Sequence, residues 1–148
     1  MNHFQAAIIG FGKAGKTLAA ALGRAGWRVA IVEKFQAMYG GTCINIGCIP
    51  TKALVHDAQA ATDFTEAAQR KASVVEFLRE KNHLNLANLE TVEVIDGQAE
   101  FIDPHTLKIT SGEAIRTLSA DRIFINTGAF RRSTGWSPGH ALLTAPAS

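Results

Sequence analysis

Three glycines constrain the start of this chain more than any other feature. They stand in the order Gly10-Phe11-Gly12-Lys13-Ala14-Gly15, directly after the apolar run Ala6-Ala7-Ile8-Ile9. The spacing predicts a strand, a tight turn and a helix from Lys16 to Ala25, ended by Gly26 as a C-cap glycine. Leu18, Ala21 and Leu22 fall on one face of that helix, and Arg28 to Val32 reads as a second strand. Apolar strands without polar alternation are buried on both faces, which implies a parallel sheet.

Each glycine has a steric reason. The first permits the turn, the second lets backbone approach a pyrophosphate, and the third lets helix and strand pack closely. The phosphates then meet unpaired N–H groups and the positive end of the helix dipole. Glu33 closes the second strand about 20 residues on, where a carboxylate accepts hydrogen bonds from ribose hydroxyls. The alternative is a plain glycine turn beside a surface glutamate. These features define an α/β, Rossmann-like nucleotide-binding fold without choosing between NAD and FAD.

Bulk properties narrow the partners. A formal charge of +2, from 15 basic and 13 acidic residues interspersed along 148, leaves no basic face for nucleic acid. The N-terminus lacks the layout of a secretory signal, and no apolar run has the length of a membrane span. A cytoplasmic protein with one compact domain is expected, with its two cysteines in a reducing compartment, where paired cysteines point to redox or metal chemistry.

From Thr51 to about Leu84 the chain reads as a long helical stretch after the cysteines, with Leu54, Ala58, Ala61, Phe64, Ala68, Val75 and Leu78 as its apolar stripe and one break near Thr62-Asp63. From Thr91 the period becomes two. Val92 and Val94, Ala99 to Ile102, Leu107 to Ile109 and Ala114 to Arg116 then form a small antiparallel β-meander with turns at Asp96-Gly97, Asp103-Pro104 and Ser111-Gly112. Asp121 to Asn126, before Thr127-Gly128, reads as a further parallel strand.

Cys43 and Cys48 lie in Gly40-Gly41-Thr42-Cys43-Ile44-Asn45-Ile46-Gly47-Cys48-Ile49-Pro50-Thr51-Lys52. On a regular helix five steps turn about 140°, separating the sulfurs, so the segment must be irregular. Gly47 and Pro50 supply the irregularity. A helix start and Lys52 nearby favour a lowered thiol pKa. Two other readings stay open: a pair of inert buried cysteines, and a metal site completed by His56, although this spacing fits zinc poorly. His56 and Phe64 are read as packing or solvated residues.

Gly-Gly-Thr-Cys43, four residues, then Cys48-Ile-Pro-Thr-Lys52, placed after the glycine turn and Glu33, resembles the redox-disulfide signature of the class I pyridine nucleotide-disulfide oxidoreductases, and within them the mercuric-reductase-like flavoproteins. Met38-Tyr39-Gly40-Gly41 and Phe124-Ile125-Asn126-Thr127-Gly128 extend the resemblance. It implies FAD in the turn Gly10, Gly12 and Gly15, with Glu33 on the adenosine ribose. It further implies Cys48 as the charge-transfer thiol against the flavin and Cys43 as the interchange thiol facing substrate. Gly41, Thr42 and Lys52 would contact the cofactor on its flavin side, Ala99 the adenine through its main chain, and Thr127-Gly128 the region of the pyrophosphate. Electrons would pass from NAD(P)H through flavin to the disulfide, and on to a small-molecule or metal-ion acceptor such as an oxidised thiol, copper(II) or mercury(II). Full-length members are homodimers.

The chain departs from that family in length. It shows one nucleotide fingerprint and nothing that matches the family's nicotinamide-binding and interface domains, so the sequence reads as residues 1–129 of an FAD-binding domain followed by a divergent, irregular tail, 130–148. A frameshift is one hypothesis for the tail: codons CGT CGT TCC ACC for Arg131-Arg132-Ser133-Thr134, read one base later, give Val-Val-Pro-Pro, the kind of segment the family has there. Sequencing the gene and finding no family-like frame downstream would remove it. The alternatives to a flavin disulfide oxidoreductase fragment are a non-enzymatic remnant with weak nucleotide binding and a small NAD-binding protein with incidental cysteines. The expectation for the chain alone is exposed apolar surface, poor solubility, weak FAD retention and no NAD(P)H-driven turnover; a purified chain that stays yellow and oxidises NAD(P)H would contradict it.

Overall fold

The computed structural model describes residues 2–129. Eleven elements follow one another: β1 (Asn2–Ile9), α1 (Lys13–Arg24), β2 (Val29–Glu33), a single 3-10 turn (Gln36–Met38), α2 (Gly41–Asn45), α3 (Cys48–Gln59), α4 (Phe64–Ala87), β3 (Val92–Asp96), β4 (Gln98–Asp103), β5 (Thr106–Ser111) and β6 (Ala114–Ile125). They build one six-stranded sheet in the order β3-β2-β1-β6-β5-β4. The first four strands of that order pair in parallel, and the last pairs are antiparallel.

The parallel layer is buried on both faces, as its unbroken apolar runs require. Ala6, Ile8, Val29 and Ile31 pack with Phe11, Ala19, Leu86 and Val92 beneath the helices. Ala7, Ala30 and Val32 pack on the other side with Ile95, Leu107, Ile109, Leu118 and Ala120, so the meander folds back over the sheet. Val92 and Val94, expected in that meander, instead pair with β2 at the sheet edge. The two short strands expected at Ala114 and Asp121 are one strand. β6 lies antiparallel to β5 over Ala114–Ser119 and parallel to β1 over Leu118–Ile125. The change of hydrophobic period that suggested two strands marks a change of neighbours along a single one.

α1 begins at Lys13, within the glycine turn, rather than at Lys16. Its buried stripe is Gly15, Ala19 and Gly23, with Leu18 and Leu22 half-buried beside it and Ala21 exposed. The stripe is small because the helix lies so close to the sheet: a Cβ at Gly23 would sit 2.4 Å from Val92 Cγ2. Gly26, at φ +86°, ends the helix as expected. Its N–H donates to the carbonyl of Gly23 and that of Trp27 to Leu22, a Schellman closure.

The long helical stretch breaks where expected, with Asp63 capping α4 by accepting from the N–H of Thr65 at 2.9 Å. The predicted stripe is only partly right. Val75 is buried and Leu54, Ala68 and Leu78 are half-buried, but Ala58, Ala61 and Phe64 face solvent. Phe64 is 78% exposed, Phe77 61% and Val55 52%. Periodicity locates a helix without saying how much of each face is covered. No helix among the described residues is long and apolar enough to cross a membrane. The predicted tail, 130–148, lies outside the described residues.

α3 and α4 are joined by a buried carboxylate. Asp57 is fully buried; its Oδ1 accepts from Arg70 Nη1 at 3.0 Å and lies 3.2 Å from His56 Nδ1, while its Oδ2 has no hydrogen-bond partner. Removing the guanidinium leaves a buried acceptor without its charged donor. Arg70→Ala is expected to destabilise the chain by about 2 kcal/mol, read as a lower urea midpoint. Wild-type stability in that variant would show the pair to be dispensable.

Candidate functional site

The site is built where backbone segments meet with no side chains between them. Gly10, at φ +106°, donates its N–H to Val32 O at 2.8 Å, and a Cβ there would lie 2.2 Å from Asn126 O. Asn126 in turn donates from its backbone to Ile9 O at 2.8 Å and from its side chain to Gly10 O at 3.2 Å. Gly41, at φ +72°, brings the start of α2 onto the turn: a Cβ on it would stand 2.6 Å from Gly12 Cα. Gly40 N–H donates to Phe11 O at 3.1 Å, fixing that approach.

Glu33 also serves the turn. Its carboxylate accepts from the backbone N–H of Phe11 at 2.9 Å and of Phe35 at 3.1 Å. Each oxygen keeps a second lone pair for another donor. Tyr39 supports the same region from behind, its ring 4.8 Å from Phe11 and stacked 4.7 Å from His83. Its hydroxyl donates to Asp96, and burial first, then that bond and the charges of Asp96 and Glu33, push the phenol pKa up.

A cavity of about 650 Å³ opens along this seam. Gly10, Gly12, Glu33, Gly41, Thr42, Cys43, Ala99, Thr127 and Gly128 line it, together with Lys13, Lys34, Met38, Gln98 and Asn126. Of the residues expected from sequence, Gly15, Cys48 and Lys52 do not. Gly15 lies on the buried face of α1, where a Cβ would be 2.4 Å from Gly10 O, so its role is the close packing of helix and strand. Cys48 opens α3 and is exposed, with Lys52 one turn further along the same helix.

The cysteine segment is two helical pieces, α2 and α3, parted at Ile46 and Gly47, which is the irregularity the spacing demands. Pro50 is not the breaker. It sits in the first turn of α3, where an N–H would have no intrahelical acceptor. Both cysteines are free thiols. The Cys48 thiol, as a hydrogen-bonding neighbour, and then burial push the Cys43 pKa up, against the pull of Lys16 and Lys13. That differs from the lowered pKa expected from a helix start and Lys52, because the neighbouring sulfur outweighs the cations. His56 pairs with Asp57, and the described residues hold no group of three metal-binding side chains.

Sequence reasoning missed Asn126, Tyr39 and Lys16. Asn126 and Tyr39 lie within segments whose pattern was noticed, but nothing in the spacing shows that an amide would close the glycine turn. Lys16 is held by a long-range contact, its ammonium donating to Asn82 on α4.

Comparison with known proteins agrees with this geometry. Residues 4–144 match the family described as pyridine nucleotide-disulphide oxidoreductase. The chain is 64% identical over 129 residues to the probable pyridine nucleotide-disulfide oxidoreductase RclA of Escherichia coli, a match covering 87% of this chain and 29% of that protein. It is 32% identical over 139 residues to a dihydrolipoyl dehydrogenase of Geobacillus stearothermophilus, covering 82% of this chain and 29% of the relative. The solved Cu(II) complex of the HOCl-induced flavoprotein disulfide reductase RclA from Escherichia coli superposes with a TM-score of 0.84 at 63% identity, over 86% of this chain and 29% of that one. The chain thus spans less than a third of the length of these relatives. By sequence match and by fold, it belongs to the pyridine nucleotide-disulphide oxidoreductase family.

Proposed function

We propose that the cavity binds FAD and that Cys43 and Cys48 form the redox disulfide of a flavin disulfide reductase. The observation that carries this reading is the shared wall: Cys43 and the glycine turn line one cavity. A nucleotide diphosphate fits the seam because Gly10, Gly12 and Gly41 line it and α1 starts there with unpaired N–H groups. Glu33, already oriented by two backbone donors, would accept from the ribose hydroxyls with its free lone pairs. Ala99 and Thr127-Gly128 would hold the adenosine and pyrophosphate regions, and Gly41, Thr42 and Lys52 the flavin side. Bound FAD would supply two-electron redox chemistry at its ring system.

The two thiols would take the complementary roles. Cys48, at the exposed start of α3, would be the charge-transfer thiol, and Cys43 the interchange thiol that exchanges with an acceptor. NAD(P)H as donor, a homodimeric assembly and an acceptor that is an oxidised thiol or a metal ion belong to the same proposal. The Cu(II) complex of the Escherichia coli relative supports the metal-ion class.

The absorption spectrum of the chain purified with excess FAD tests the reading. An oxidised flavin spectrum is expected, with a long-wavelength charge-transfer band after dithiothreitol that Cys48→Ser abolishes without loss of flavin. A charge-transfer band that stays absent at saturating FAD, or NAD binding irrespective of cysteine alkylation, overturns it. Gly12→Val should weaken FAD binding by about tenfold or more, since about 1.4 kcal/mol of lost backbone contact is enough for that. Unchanged FAD affinity in an equilibrium titration would place the diphosphate elsewhere.

A further inference from the structure

We propose that Asn45, gripped by Arg79, is the positioning residue that holds the Cys43–Cys48 segment ready to close its disulfide. The role rests on the reading of the two cysteines as a redox pair, and is independent of the cofactor they face.

The need for a hold follows from the size of α2. It is five residues long, Gly41–Asn45, and its N-cap, Gly40, has no side chain to cap it. An isolated helix that short is unstable in water, because too few bonds offset the cost of its nucleus. Its N-terminal end is fixed by main chain: Gly40 N–H donates to Phe11 O, and Gly41 lies against Gly12. Its C-terminal end runs into the break at Ile46 and Gly47, whose N–H groups both donate to Thr42 O at 2.9 Å. Beyond that break α3 starts at Cys48. Where one sulfur stands relative to the other thus depends on how α2 ends, and Asn45 is the residue at that end.

The Asn45 amide is committed at both of its ends. Nδ2 donates to Tyr39 O and to Gly41 O, each at 2.9 Å, which uses both of its hydrogens. Those carbonyls stand six and four residues earlier, so the side chain closes a ring of backbone that contains Cys43. Oδ1 accepts from Arg79 Nε on α4 at 3.0 Å. A guanidinium has donors only, so the amide oxygen must face it, and the NH2 is thereby turned onto the two carbonyls. A charged donor also makes this bond stronger than one between neutral groups. Arg79 is half-buried, and among the described residues no carboxylate forms an ion pair with it. α4 is 24 residues long and buries Ala67, Val75 and Leu86, so the bond ties a short, marginal helix to a long, anchored one.

Restraint of the dithiol state lowers the entropy that closure costs. Closure by oxidised glutathione joins the two sulfurs, breaks the glutathione disulfide and releases two molecules of glutathione, to which the two electrons and two protons pass. A bond worth the same in both redox states would stabilise the fold and leave this equilibrium where it was. A clamp that prepares closure shifts it.

The test equilibrates the full chain in glutathione buffers of stepped redox ratio and quenches with iodoacetamide. Dithiol and disulfide forms are then counted in the tryptic peptide 35–52, which carries both cysteines. Arg79→Met is expected to lower the equilibrium constant for closure about tenfold, the equivalent of 1.4 kcal/mol, and Asn45→Ala at least as far. The double variant should fall no lower than Asn45→Ala, since both changes remove one contact. An unmoved or raised constant in Arg79→Met overturns the proposal, and so do losses that simply add in the double variant, the mark of a charge acting at a distance. Should circular dichroism show Asn45→Ala to be unfolded, Arg79→Met decides alone. A wild-type chain that forms only mixed disulfides with glutathione removes the redox-pair reading and the clamp with it. Equal closure in wild type and Arg79→Met removes the clamp and leaves the pair.

Discussion

Backbone pressed against backbone at Gly12 and Gly41 is the contact on which the site depends. It brings two helix starts together, at a cavity that the glycine turn and Cys43 both line. Gly10 and Asn126 make the matching contact on the sheet side. Because both contacts exclude a Cβ, these close approaches depend on atoms that the sequence omits. Glu33 reinforces the arrangement by bonding to main chain in the glycine turn and just after β2, so the acid expected to receive a sugar is also a strut.

Away from that seam the molecule divides into a tightly buried layer and a loosely covered one. The parallel strands have apolar packing on both faces, at about 1.5–3 kcal/mol for each large side chain fully removed from water. The α3 and α4 pair contributes Ala67, Val75 and Leu86 to the interior but leaves Phe64 and Phe77 outside. Its cohesion therefore leans on a polar link, Asp57 with Arg70, in which one carboxylate oxygen goes without a partner.

Much of this was legible in the residues. The glycine turn, the acid at the end of β2, the irregular cysteine segment, the break before Asp63 and the glycine after α1 each follow from local rules of backbone geometry, and local rules can be read locally. Three features could not be. The true stripe of α1, Gly15, Ala19 and Gly23, is inconspicuous because close packing selects the smallest residues and not the most hydrophobic. Val92 and Val94 alternate like a meander strand, yet join the parallel layer, since pairing partners are set by long-range register. The direction of the Cys43 shift depends on burial and on a sulfur and two lysines from two other helices, a sum of opposing effects that spacing does not supply.

β6 belongs to the parallel strands and to the antiparallel meander at once. Its first half fixes the hairpin stack, and its last residues run directly into Asn126, Thr127 and Gly128 at the cavity rim. Ala99, on the opposite wall, is tied to the same strand through β5. The two sides of the cavity are therefore indexed to a single ruler. An inserted or deleted residue within β6 would offset one wall from the other, whereas the turn at Gly112, with open space around it, can change length and leave the alignment intact.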